Sequence, residues 1–135
     1  MAKKIDHIGM IVKDLDASLA SYTSKLGLEV EEIEEIEVEG AKDRLAMIPI
    51  GESRIELIET SAEKGLAADF LKEHGEGIHH IAIRVEGIDK IYEDLSAKGV
   101  KFVWGEVIQR DPKTKIAFLE ADEFNGVLIE LVERS

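Results

Sequence analysis

The stretch IDHIGMIVKDLDASLASYTSKL, residues 5–26, lies over IHHIAIRVEGIDKIYEDLSAK, residues 78–98, at an offset of 73, which puts His7 on His80. A repeat changes how every later residue is read, so the overlay is followed outward. Residues 55–59 (IELIE) lie over 129–133 (IELVE) at an offset of 74, and Glu56 falls on Glu130. Residues 45–48 (LAMI) match 116–119 (IAFL) in order, with a longer turn in the second copy. The chain reads as two related halves of roughly 65 residues each.

Each half reads as a strand, a helix and then several strands. In the strand over 4–12, Ile8, Met10 and Val12 share one face, and His7, Gly9 and Ile11 the other. Its counterpart sets Ile81, Ile83 and Val85 against His80, Ala82 and Arg84. Asp14 or Asp16 can cap a helix with the stripe Leu15, Leu19, Tyr22 and Leu26, stopped by Gly27. The second copy gives Ile88, Ile91, Tyr92 and Leu95, stopped by Gly99. Residues 28–38 favour a strand with an acidic exposed face. Residues 44–50 and 53–59 form a hairpin about Gly51-Glu52. A linking segment, about 62–75, contains a short helix with Leu66, Ala67, Phe70 and Leu71 inward, and strands near 101–108, 114–120 and 127–133 follow. Turns are expected around Asp111-Pro112 and Asn125-Gly126. The expected fold is α+β, one domain over 1–135, with module 1 at about 4–60 and module 2 at about 77–134.

Composition narrows the chemistry. The 135 residues carry 17 Lys+Arg against 29 Asp+Glu, a net charge of 17 − 29 = −12, which disfavours nucleic acid as a partner. No apolar run is long enough for a membrane helix, and the opening residues do not read as a secretory signal, so cytoplasm is the expected compartment. With no cysteine, a metal would have to use His and carboxylate. One Gln and one Asn amid abundant Glu and Lys fit a hot habitat. The 29–39 acidic run reads as a solvated edge.

Alternation places His7, His80, Glu56 and Glu130 opposite the helix-covered face. If the modules join edge to edge into one curved mixed sheet, the four meet on its concave side, as two imidazoles and two carboxylates that can hold a divalent ion. A lone strand histidine or a single Glu in IELIE would be read as solvated or hydrogen-bonded. Both types recurring at matching repeat positions, on matching faces, is what points to a metal. His79 has the wrong parity and reads as a structural neighbour, and His74 as a helix-end residue.

These residues carry a resemblance to the vicinal oxygen chelate superfamily of paired βαβββ modules, over nearly the whole chain. Residues 5–9 (IDHIG), 25–28 (KLGL), 48–51 (IPIG), 54–59 (RIELIE), 126–131 (GVLIEL) and especially 70–82 (FLKEHGEGIHHIA) look most like its methylmalonyl-CoA epimerase branch. The resemblance implies a metal held by His7, Glu56, His80 and Glu130, with Co, Ni, Zn, Mn or Mg all admissible. It also implies a homodimer, a CoA thioester substrate and proton transfer at Glu130; because bases are needed on both sides of a planar intermediate, Glu56 is the candidate for the second. The chain departs from the epimerase pattern at 109–115 (QRDPKTK) and 120–122 (EAD), near the expected substrate mouth. Asp43 and Arg44 stand where some epimerases carry an acidic base.

The expected reaction is epimerisation of (2R)- and (2S)-methylmalonyl-CoA through a metal-stabilised enolate. The same apparatus would isomerise a glutathione-type hemithioacetal, as in glyoxalase I. Arg44, Lys113 and Lys115, with Lys42 and Arg110, could bind phosphates or carboxylates. A metal-free binding or resistance protein would have no need for matched His and Glu. An extradiol dioxygenase would leave Glu56 unexplained.

Overall fold

The computed structural model describes residues 2–38 and 40–135; Met1 and Glu39, the end of the acidic run, lie outside the described residues. In chain order the elements are β1 (Ala2–Ile11), α1 (Leu15–Ala20) running into a π-helical turn (Ser21–Lys25), β2 (Glu32–Val38), β3 (Ala41–Ile50) and β4 (Ser53–Thr60). After the linking helix α2 (Leu66–His74) come β5 (Gly77–Val85), α3 (Ile88–Ala97), β6 (Ile108–Asp111), β7 (Thr114–Leu119), a 3-10 turn (Ala121–Glu123) and β8 (Leu128–Arg134). The βαβββ order thus occurs twice, and the class is α+β. The strands follow the order β2-β3-β4-β1-β5-β8-β7-β6 in a mixed sheet. Among the described residues, no helix is long and apolar enough to cross a membrane.

Packing divides the chain into two compact units: Ile8–His79, and the residues up to His7 together with His80–Ser135. In the first, β1 runs parallel to β4, which is antiparallel to β3, and β3 to β2. Its core is Val12, Leu15, Leu19, Ala46, Ile48 and Leu57. In the second, β5 runs parallel to β8, with β7 and β6 added antiparallel. Its core is Val85, Ile88, Phe102, Ala117, Leu119 and Leu131. Val12 and Val85, Leu15 and Ile88, Ala46 and Ala117, Ile48 and Leu119, and Leu57 and Leu131 occupy equivalent repeat positions. The repeat seen in the sequence is therefore a repeat of core contacts.

The last Glu of each IELxE copy serves the helices. Glu59 Oε2 accepts the Leu15 N–H at 2.8 Å, and Glu133 Oε1 accepts the Ile88 N–H at 2.8 Å. Both satisfy donors that a helix start leaves without an intrahelical partner. Helix α1 has a second cap, since Asp14 Oδ1 accepts the Ala17 N–H at 3.1 Å. At the equivalent position α3 has Gly87, with φ 72° and no side chain to cap with. Glu133→Ala is therefore expected to destabilise by about 1–2 kcal/mol and Glu59→Ala by about half as much. Urea denaturation of the two variants checks the order, and equal losses would contradict it.

Two expectations change. Leu26, placed in the α1 stripe, is 65% exposed, because the π-helical turn shifts the phase of the last residues outward. The strand expected over 101–108 is reduced to a bridge between Phe102 and Leu119, and β6 begins only at Ile108. Gly105, at φ 67°, breaks the extended run, and its carbonyl accepts the Tyr92 hydroxyl at 2.6 Å. In α2 the buried residue is Ala68, with Leu66, Ala67, Phe70 and Leu71 half-buried around it.

Candidate metal centre

His7 near the middle of β1, His80 on β5 and Glu130 on β8 come together within one compact unit. His7 Nε2 lies 3.2 Å from His80 Nε2 and 3.1 Å from Glu130 Oε1, and His80 Nε2 lies 3.2 Å from the same oxygen. All three side chains are almost fully buried. The imidazoles meet edge to face at 86°, and His80 with Phe118, and Phe118 with Trp104, meet in the same way. Phe118 pairs with Glu130 across the β7–β8 ladder, so the rings form one wall beside the carboxylate.

Register explains why these positions recur. Glu130 pairs with Ala82, two residues beyond His80 on β5. Glu56 pairs with Gly9, two residues beyond His7 on β1. Each glutamate therefore stands across a parallel pair from its own half's histidine, with matching side-chain parity. Glu56 is buried at the middle of β4, in the other compact unit.

Burial works against charge on Glu130, but hydrogen bonds from His7 and His80 outweigh it and hold the carboxyl at about 2. Asp6, which the sequence reading passed over, adds a further layer. Its Oδ2 lies 2.7 Å from His7 Nδ1 and 2.9 Å from Arg134 Nη2, while Oδ1 takes Arg84 Nε at 2.8 Å and Arg134 Nε at 3.1 Å. Burial would raise its pKa, but His7, Arg134 and Arg84 together hold it well below the usual carboxylate range. An ionised Asp6 can only accept, so Nδ1 of His7 carries the hydrogen. In neutral His7 the lone pair is then on Nε2, facing the other two donors.

This set fits a divalent cation. Two imidazole nitrogens and a carboxylate oxygen are the ligand types of first-row ions. Their separations are of the order spanned by ligands about 2.1 Å from a shared ion. Any Nε2 hydrogen that bonds Glu130 is one that a bound ion would displace.

The other expected site residues have partners of their own or lie exposed. Arg44 reaches Asp16 at 3.1 Å and lies 3.7 Å from Glu59 and 3.9 Å from Glu35. Lys115 pairs with Asp89 at 2.7 Å. Lys113 is exposed at the β6–β7 turn, where its backbone N–H bonds Asp111. His79 and His74 each pack against Phe70.

The chain carries two βαβββ copies and a buried His-His-Glu cluster whose donor set suits a divalent ion, and comparison with known proteins gives the chain a family. The family model of the Glyoxalase/Bleomycin resistance protein/Dioxygenase superfamily matches residues 6–118, and the chain belongs to that superfamily. Within it the chain is similar to epimerases. It is 31% identical over 133 residues to the ethylmalonyl-CoA/methylmalonyl-CoA epimerase of Cereibacter sphaeroides, covering 97% of this chain and 98% of that one. A structure of a Streptomyces coelicolor methylmalonyl-CoA epimerase variant in complex with 2-nitronate-propionyl-CoA superposes with a TM-score of 0.89 at 35% identity, over 100% of this chain and 96% of that one. An uncharacterised Bacillus subtilis protein is 32% identical over 130 residues, covering 96% and 91% of the two chains.

Proposed function

We propose that this protein is a metal-dependent epimerase that interconverts (2R)- and (2S)-methylmalonyl-CoA. The observation that carries the reading is the buried convergence of His7 Nε2, His80 Nε2 and Glu130 Oε1 at 3.1–3.2 Å. Its similarity to epimerases over almost its full length supports an acyl-CoA thioester as the substrate class. Glu56 is proposed as the fourth ligand, on the strength of its burial and its repeat-equivalent register opposite Gly9.

An α-proton beside a thioester is far too weakly acidic for a carboxylate acting alone. A divalent ion, when bound, supplies positive charge where negative charge develops on the thioester oxygen. The protein's own groups do the rest. Asp6 holds His7, and an edge-to-face contact with Phe118 holds His80. Glu130, its carboxyl held at about 2 by the two imidazoles, is better suited to ligation than to taking a proton near neutral pH. The sequence ranks Glu130 first as base and Glu56 second; the proposal gives ligation to Glu130 and proton transfer to Glu56. A phosphate of CoA at Arg44 or Lys115 would have to displace Asp16 or Asp89, whereas Lys113 is exposed on its turn.

The test is incubation of protein reloaded with Co²⁺, Ni²⁺, Mn²⁺ or Zn²⁺ with (2S)-methylmalonyl-CoA in D₂O. The expected result is deuterium at the α-carbon and formation of the (2R) epimer with at least one ion. No exchange with any of them would sink the reading. A parallel incubation with methylglyoxal and glutathione should give no lactoylglutathione; turnover there and not on the thioester would move the assignment to glyoxalase I.

A further inference from the structure

We propose that Asp6, clamped by Arg84 and Arg134, is a positioning residue that fixes the tautomer of His7 and so presents the His7 Nε2 lone pair to a divalent ion. The proposal rests on the metal reading above and adds a residue to it. The two oxygens of Asp6 are fully committed: Oδ1 to Arg84 and Arg134, Oδ2 to Arg134 and His7 Nδ1. Asp6 is 2% exposed, while both arginines reach partly into solvent. A carboxylate held this way cannot swing away from the imidazole.

The arrangement breaks the repeat, and that asymmetry is informative. At repeat-equivalent positions, Asp6 corresponds to His79, Arg84 to Ile11, and Arg134 to Thr60. The second half supplies both arginines, four residues beyond His80 and four beyond Glu130, and the first half supplies the carboxylate. A buried ion pair is a poor source of stability compared with apolar packing of similar size. A cluster of three charges beside one histidine therefore points to a task at that histidine. Carboxylate–imidazole pairs of this kind orient metal-binding histidines and raise their basicity, and losing the carboxylate weakens metal binding by about 10–100-fold.

Two measurements test this. In metal-free wild-type protein, at a pH above imidazole titration, long-range ¹H–¹⁵N spectra are expected to show the His7 proton on Nδ1. A proton on Nε2 would overturn the proposal without any mutation. In Asp6→Asn the Kd for Co²⁺, followed by its visible absorption, is expected to rise by about 10–100-fold. Wild-type Co²⁺ affinity in folded Asp6→Asn would overturn the proposal and leave the metal site standing. Wild-type protein that binds none of Co²⁺, Ni²⁺, Mn²⁺ or Zn²⁺ would overturn the metal reading and this proposal together. Should Asp6→Asn fail to fold, the wild-type tautomer still decides: a proton on Nε2 overturns the proposal, and a proton on Nδ1 is the tautomer it requires.

Discussion

His80→Ala protein is expected to fold, to hold no stoichiometric divalent ion, and to lose α-deuterium exchange by a factor on the order of a thousand or more. His80 supplies one of the three donor atoms that meet at 3.1–3.2 Å, and its removal leaves His7 and Glu130 facing a void. Its truncation also forfeits edge contacts with His7 and Phe118, at a cost of about 1–3 kcal/mol in the metal-free state. That cost is affordable to the fold because the hydrophobic core of this unit, around Val85, Ile88 and Leu131, does not include the histidine. Metal and stability then separate cleanly. In wild-type protein, an ion at 100 times its Kd adds about 2.7 kcal/mol, so the melting temperature rises with added Co²⁺; in His80→Ala it should not. Metal analysis after gel filtration and melting curves with and without Co²⁺ check both halves. Unchanged metal content would show that the convergence of these side chains is not a metal site.

The sequence reaches His80 by parity and repeat, and the same logic shows why other parts escape it. Alternation along a strand tells which residues share a face, and an internal repeat tells which strand positions correspond. His7, His80 and Glu130 follow from those two rules. The paired cores follow as well, since Leu15 and Ile88 or Leu57 and Leu131 are equivalent apolar positions. Asp6 lies beyond both rules. It stands on β1 beside a ligand, at a position where the second half has His79, and its partners Arg84 and Arg134 are far away in the chain. A departure from the repeat was the available signal: Arg84 and Arg134 share parity with His80 and Glu130, yet have no cationic counterpart in the first half. The irregular stretch after α3 escaped for a different reason. Residues 101–108 have strand composition, but Gly105 adopts a left-handed conformation and only a single bridge forms. Composition records what could pair; it does not record where one residue turns the chain. Leu26 is similar, because a π-helical turn alters phase without altering the apolar spacing that predicts a helix.

Glu56→Gln and Glu130→Gln are expected to fail in opposite ways, which separates holding the ion from moving the proton. The two glutamates are repeat equivalents, opposite Gly9 and Ala82 on parallel strands. Their surroundings are not equivalent in consequence. Glu130 accepts from both imidazoles, and those bonds hold its carboxyl at about 2, so its charge is committed to the cluster. An amide there presents one oxygen without the charge, and Co²⁺ affinity should fall by about 10–100-fold, with exchange falling in step unless the ion is added in excess. Glu56 is proposed to be both ligand and base. An amide oxygen can still ligate, so Glu56→Gln should keep Co²⁺ within a few-fold of wild type, on the order of 1 kcal/mol or less. It cannot take a proton at the α-carbon, so exchange should drop by about 10²–10⁴-fold even at saturating metal. Following deuterium from (2S)- and from (2R)-methylmalonyl-CoA separately sharpens the result. Epimerisation needs a proton removed on one face of a planar intermediate and returned on the other, so losing one base should slow washing-in from one epimer more than from the other. Equal slowing of both, with Co²⁺ lost as well, would make Glu56 a ligand alone. A wild-type exchange rate in Glu56→Gln would remove it from the reaction and return proton transfer to Glu130, despite the two imidazoles that hold its charge in place.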